Sequence, residues 1–117
     1  MSIYFTIAAR SAAEFEALES EGAPEANMGN GAGMIVAEWF TGLPADSCGS
    51  FDPADAAPLE AVLPFAWERD DIEGLSWMLD ASHPDGGFWH ARWERRVRDV
   101  AAVIEAAQRL GREVVWG

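Results

Sequence analysis

The sequence predicts an α+β domain, mostly helical, with four to five helices packed on a small sheet that pairs the N- and C-terminal strands. Three observations carry this. Ile3, Phe5 and Ile7 alternate with Tyr4, Thr6 and Ala8, the period-two pattern of a half-buried strand. Val114-Val115-Trp116 is a second β-prone run at the other end of the chain. Between them, Trp89, Trp93, Val97, Val100, Ile104 and Ala107 keep one stripe on a 3.6-residue period, the mark of an amphipathic helix. Each terminal strand is apolar and needs a partner, so pairing the two is the economical arrangement. A two-stranded sheet is marginal alone, so helices must cover it or its edge must recruit a second chain.

The remaining elements follow in order. Ser11-Ala-Ala-Glu14 is a capping box that opens a helix, with Phe15 and Leu18 inward, Glu16 and Glu19 outward and Gly22 as its stop. Residues 21–25, with Pro24, read as a turn. Asn27 to Gly33 holds three alternating glycines. It lacks the spacing and the preceding strand of a dinucleotide loop, and reads as a tight turn. Gly31 to Thr41 reads as a short helix, apolar on most sides and capped by Asn30. Thr41-Gly42-Leu43-Pro44 is a helix-ending pattern, and a strand over Met34–Phe40 is the alternative.

Ala45 to Phe51 reads as a loop holding Cys48. Asp52-Pro53-Ala54-Asp55 is a further helix start. Pro58 and Pro64 isolate Leu59–Leu63 as a separate turn, Phe65 to Trp67 reads as an extended link, and Asp70 or Asp71 caps another helix carrying Ile72, Leu75, Met78 and Leu79. Ser82 to Gly87 is a turn. The long final helix runs from Phe88 to a stop at Gly111.

At 117 residues the chain is read as one domain over 1–117, long enough to bury a core without staples. No apolar run is long enough to span a membrane, and the first residues lack a basic, apolar leader, so a cytoplasmic location is expected. The net charge is −12, of which residues 1–60 carry −9. That balance argues against nucleic-acid binding, which needs a basic footprint, and suits a basic protein partner or nucleic-acid mimicry. Its plainest use is solubility. Cys48 is the single cysteine, in keeping with a reducing compartment.

Candidate chemistry is sparse. His83, His90 and Asp85 flank one turn, but two histidines around a Gly-Gly pair fall short of a metal site. Cys48-Gly49-Ser50 lacks the strand-turn-helix setting of a nucleophile elbow. On the long helix, Glu94–Arg98, Arg95–Asp99 and Glu105–Arg109 are i,i+4 acid–base pairs. Arg92 and Arg96 have no such partner there and are expected to meet the acidic half of the chain, within the monomer or across a homodimer.

Among six tryptophans, Trp39, Trp89, Trp93 and Trp116 fall on core stripes. Trp67 and Trp77 do not, and tryptophan beside charges is a common contact residue at interfaces. The expected function is therefore an interaction or regulatory module, immunity- or inhibitor-like, acting by binding a protein partner or by self-association. Trp67, Asp70, Asp71, Trp77, Arg92 and Arg96 are its candidate contact residues. No catalytic residue, cofactor or metal is assigned. The alternative is a small enzyme or ligand-binding protein with a pocket near Cys48, His83 and His90.

Overall fold

The computed structural model describes the backbone of residues 2–79 and 92–117, and the side chains of 2–73 and 92–117. In chain order the elements are β1 (Ser2–Ile7), α1 (Ala12–Ser20), β2 (Ala26–Gly29), α2 (Asn30–Thr41), β3 (Gly49–Phe51), α3 (Leu59–Leu79), α4 (Arg92–Leu110) and β4 (Val114–Trp116), with a 3₁₀ turn at Pro53–Asp55. The fold is α+β and mostly helical, four helices on a four-stranded antiparallel sheet ordered β2-β1-β4-β3. No described helix is long and apolar enough to cross a membrane.

The expected terminal pairing is present, with Phe5 opposite Trp116 and Ile7 opposite Val114. The sheet is larger than the sequence indicated. The first half of the expected Asn27–Gly33 turn belongs to β2, where Met28 pairs with Ile3 and Ala26 with Phe5, and its second half is the first turn of α2. Part of the expected Cys48 loop is β3, where Phe51 pairs with Val114. Both segments are too short and too glycine-rich to show an alternating pattern, so only the neighbouring strand defines them. Ile3, Phe5, Ile7, Ala26, Met28 and Val114 all lie on the covered face and are buried.

That face carries α2 and α4. Val36, Ala37 and Phe40 of α2, and Trp93, Val97, Val100, Ile104 and Ala107 of α4, are buried against it or against α3. The α4 stripe thus forms as its spacing predicts, and Trp89 lies outside the described residues. Gly42 and Gly111 end their helices with φ of 71° and 65°, the left-handed geometry that glycine adopts at least cost. The helix reading of Met34–Phe40 is correct. Asn30, however, is the first helical residue rather than the cap, a place taken by Gly29 without a side-chain bond.

Two further expectations are corrected. Asp52 does cap a helical segment, its carboxylate accepting from Ala54 N–H at 2.9 Å, but the segment is one 3₁₀ turn. Residues 59–79, expected as a turn, a link and a separate helix, form the continuous α3 with Pro64 inside it. Proline removes one backbone donor, yet Glu60 and Pro64 are both on the exposed side. On the other side Val62, Leu63, Ala66 and Asp70 recur at helical spacing and are buried. Their burial against α4 outweighs the lost bond.

Two glycines record close approaches. A Cβ on Gly33 of α2 would come within 2.7 Å of the Ile3 Cβ, so the helix backbone rests directly on the central strand. A Cβ on Gly49 would meet the Trp116 indole at 2.5 Å. That ring covers the glycine, contacts Phe5 and Phe51, and donates its Nε1–H to Asp46 O at 3.0 Å. Gly33→Ala should cost about 1–3 kcal/mol through overpacking. Gly31→Ala, which meets nothing within 4 Å, should be neutral or stabilising by up to about 1 kcal/mol. Urea denaturation of the two variants checks the contrast.

Candidate functional site

Two of the sequence-selected residues, Asp70 and Arg96, come together at the junction of α3 with the start of α4. Trp93 lies at its centre, nearly fully buried. Its ring packs against Trp39 of α2 at 5.4 Å between centroids, and Trp39 stacks on Phe65 of α3 at 6.0 Å. The Arg69 and Arg96 guanidinium carbons stand 4.8 and 4.6 Å from the Trp93 ring centre, in cation–π range. The indole Nε1–H donates to Glu73 Oε2 at 2.8 Å, and Arg69 pairs with Glu73 at 3.7 Å.

Asp70 has a different task from the one its sequence position indicates. Its carboxylate, 5% exposed, accepts from Trp93 N–H at 3.0 Å and Glu94 N–H at 3.4 Å. These are among the first amides of α4, which have no partner inside their own helix. Asp70 therefore caps α4 from the neighbouring helix. Burial raises its pKa above the ordinary value, against the opposing pull of the two N–H donors, and the nearby Glu73 and Glu94 raise it further. Arg96 is also partly buried. Desolvation, then the like charge of Arg92, lowers its pKa, while Glu73 and Asp70 act the other way. Arg96 thus lies over Trp93 in the field of Glu73 and Asp70 of α3, and within the chain it forms no ion pair with the N-terminal acids among the described residues.

The other selected residues spread around this junction. Trp67 is 48% exposed and shares a flank of α3 with Asp71, four residues on. Phe65, 49% exposed, and Ile72, 66% exposed, lie seven residues apart on the opposite flank, beside Arg69. Arg92 is exposed at the first residue of α4. The Trp77 side chain lies outside the described residues. Phe65, Arg69 and Glu73 were missed because Pro64 broke the periodicity. In an unbroken helix their i,i+4 spacing places them on one line. Along α4, Glu94–Arg98 and Glu105–Arg109 close as expected, each at 3.0 Å. Arg95 and Asp99 form no ion pair among the described residues.

Cys48 is exposed just before β3, while His83 and His90 lie outside the described residues. Among the described residues no three His, Cys, Asp or Glu side chains group closely enough to hold a metal. At the α3–α4 junction Phe65, Arg69 and Ile72 are exposed on one flank of α3.

A second feature lies at the far end of β1. Helix α1 buries none of its residues and is tied on by a bidentate pair, Arg112 Nε to Glu14 Oε1 and Arg112 Nη2 to Glu14 Oε2, both 2.7 Å. The capping box is half formed. Ser11 Oγ accepts from Glu14 N–H at 3.1 Å, while the glutamate reaches Arg10 N–H and Arg112 instead of Ser11. A cleft of about 470 Å³ opens between α1, the end of β1 and residues 23–25.

No family model matches the chain, and no curated protein or solved structure is significantly similar to it.

Two outcomes follow from these contacts. Asp70→Ala should destabilise by about 0.5–2 kcal/mol, the usual loss for a helix cap, and Asp70→Asn by less, because its one amide oxygen keeps the shorter bond from Trp93 N–H while the longer one from Glu94 N–H is lost. Thermal melts of both variants decide this. The Arg112 guanidinium holds Glu14 down to about 2 from 4.5, so the pair's contribution is complete above pH 4.5 and lost as pH falls through about 2. The stability gap between wild type and Glu14→Gln should thus be full at pH 6 and close toward pH 2, read by denaturant titration across that range.

Proposed function

We propose that this chain is a protein-interaction module that acts by binding, as an immunity or inhibitor protein does. The supporting observation is the exposure of Phe65, Trp67 and Ile72 on α3, a helix whose opposite side is packed on α4. Large apolar side chains on a fixed backbone lose little freedom on binding, and aromatic and arginine side chains carry most interface energy. Arg69 and Arg96 supply the guanidinium groups on one flank, and Asp71 adds an acid on the other. Asp70 serves this surface from within by holding the start of α4. The charge of −12 would speed association with a basic partner. The site of action is read as the cytoplasm, where a lone exposed cysteine such as Cys48 stays reduced. Self-association, as a homodimer, would use the same surface.

Affinity capture with the wild-type chain, Phe65→Ala/Ile72→Ala and Trp67→Ala tests this, with light scattering to read self-association. A specific partner, or the dimer, should bind about 30-fold more weakly to at least one variant, the loss typical of a central interface residue, with melting temperature little changed. Equal capture and equal mass for all three chains would rule out α3 as the contact surface.

A further inference from the structure

The α1 cleft lies apart from the α3 surface, and its lining has two chemistries. Ile7, Phe15, Leu18 and Pro24 form an apolar wall, and Glu19 and Glu25 stand on the lining with them. At about 470 Å³ it falls within the usual size range of ligand pockets and holds one or two large side chains. Phe15 is 51% exposed there, on a helix with no buried residue. An isolated half-exposed phenylalanine is ordinary. One that lines a cleft with three other apolar residues has a ready partner in any apolar side chain that enters.

Charge selects what enters. Residues 11–25 hold five glutamates and no basic residue. Glu14 is neutralised by Arg112, and Arg109, at the neighbouring cleft, pairs with Glu105 at 3.0 Å. Glu16, Glu19, Glu21 and Glu25 make no ion pair among the described residues. A second copy would bring a chain of net charge −12 to this rim. A segment that places arginine or lysine on either side of an apolar side chain satisfies both the wall and the rim.

We propose that the cleft between α1 and the end of β1 docks a basic segment of a partner protein, with an apolar side chain against Phe15 and Leu18 and flanking cations at Glu19 and Glu25. Long-range attraction would steer the segment in, and the apolar contact would fix its register.

The test uses three synthetic peptides titrated into the full isotope-labelled chain: an arginine-flanked Leu-Phe peptide, its glutamate-flanked counterpart, and the arginine-flanked peptide with Ser-Ser in place of Leu-Phe. The first should bind saturably at moderate salt, with amide shifts centred on Thr6, Ile7, Phe15, Leu18 and Ala23. Glu19→Gln/Glu25→Gln and Phe15→Ala, all at exposed positions, should each weaken it about tenfold, the Ser-Ser peptide should bind about tenfold more weakly, and the glutamate peptide not at all. Phe65→Ala should leave it unchanged, which separates this site from the α3 surface. Equal binding of both arginine peptides with shifts at acids all over the chain would mean plain charge attraction, and would overturn the proposal. So would shifts centred elsewhere, no binding, or sedimentation showing a dimer that is lost in Glu19→Gln/Glu25→Gln and that the peptide does not displace.

Discussion

Everything else in this molecule depends on burying one face of β1. Ile3, Phe5 and Ile7 are nearly inaccessible to water, and each burial is worth about 1.5–3 kcal/mol. A helix must lie over them, and α2 does so closely enough that Gly33 leaves no room for a methyl group against Ile3. The α4 stripe covers the rest. The other face presents Ser2, Tyr4, Asn27 and Ser50 to solvent, which antiparallel sheets allow.

Once α4 is held on the sheet, its outer side sets the place of α3. Val62, Leu63 and Ala66 pack toward α4, and the buried Asp70 follows one turn later. That carboxylate is costly to bury, yet it satisfies two amide donors that would otherwise have no partner at the start of a helix. The arrangement fixes Trp93, and Trp93 in turn orders Trp39, Phe65 and the two guanidinium groups around it. The exposed aromatic and guanidinium groups of this junction are therefore a by-product of how two helices solve a capping problem.

The parts legible in the sequence were those with a local physical cause. The alternation of β1, the period of α4, the Ser11 cap and the Gly42 and Gly111 stops each depend on residues a few positions apart. What was not legible depends on distant partners. Residues 26–29 and 49–51 are strands only because β1 and β4 lie beside them. Pro64 argues for a break, and tertiary burial of α3 overrides it. The Glu14–Arg112 pair joins residues 98 positions apart and has no sequence signal at all. At the candidate site, exposed Trp67 was legible from its charged neighbours. Phe65, Arg69 and Glu73 were hidden by the same proline that hid the helix.

The pairing of β1 with β4 also dictates an order of assembly. Phe5 waits for Trp116, more than a hundred residues later in synthesis, before the middle of the sheet can close. Until then Ile3, Phe5 and Ile7 can be shielded only by β2 and α2, which emerge soon after them. The N-terminal β1-α1-β2-α2 segment has an open flank that is completed when β4 pairs with β1. Closing so long a loop slows folding more than it weakens the finished protein. A chain built this way spends its synthesis with one strand edge uncovered. The dense negative charge of its first sixty residues then gives nascent copies a reason to stay apart.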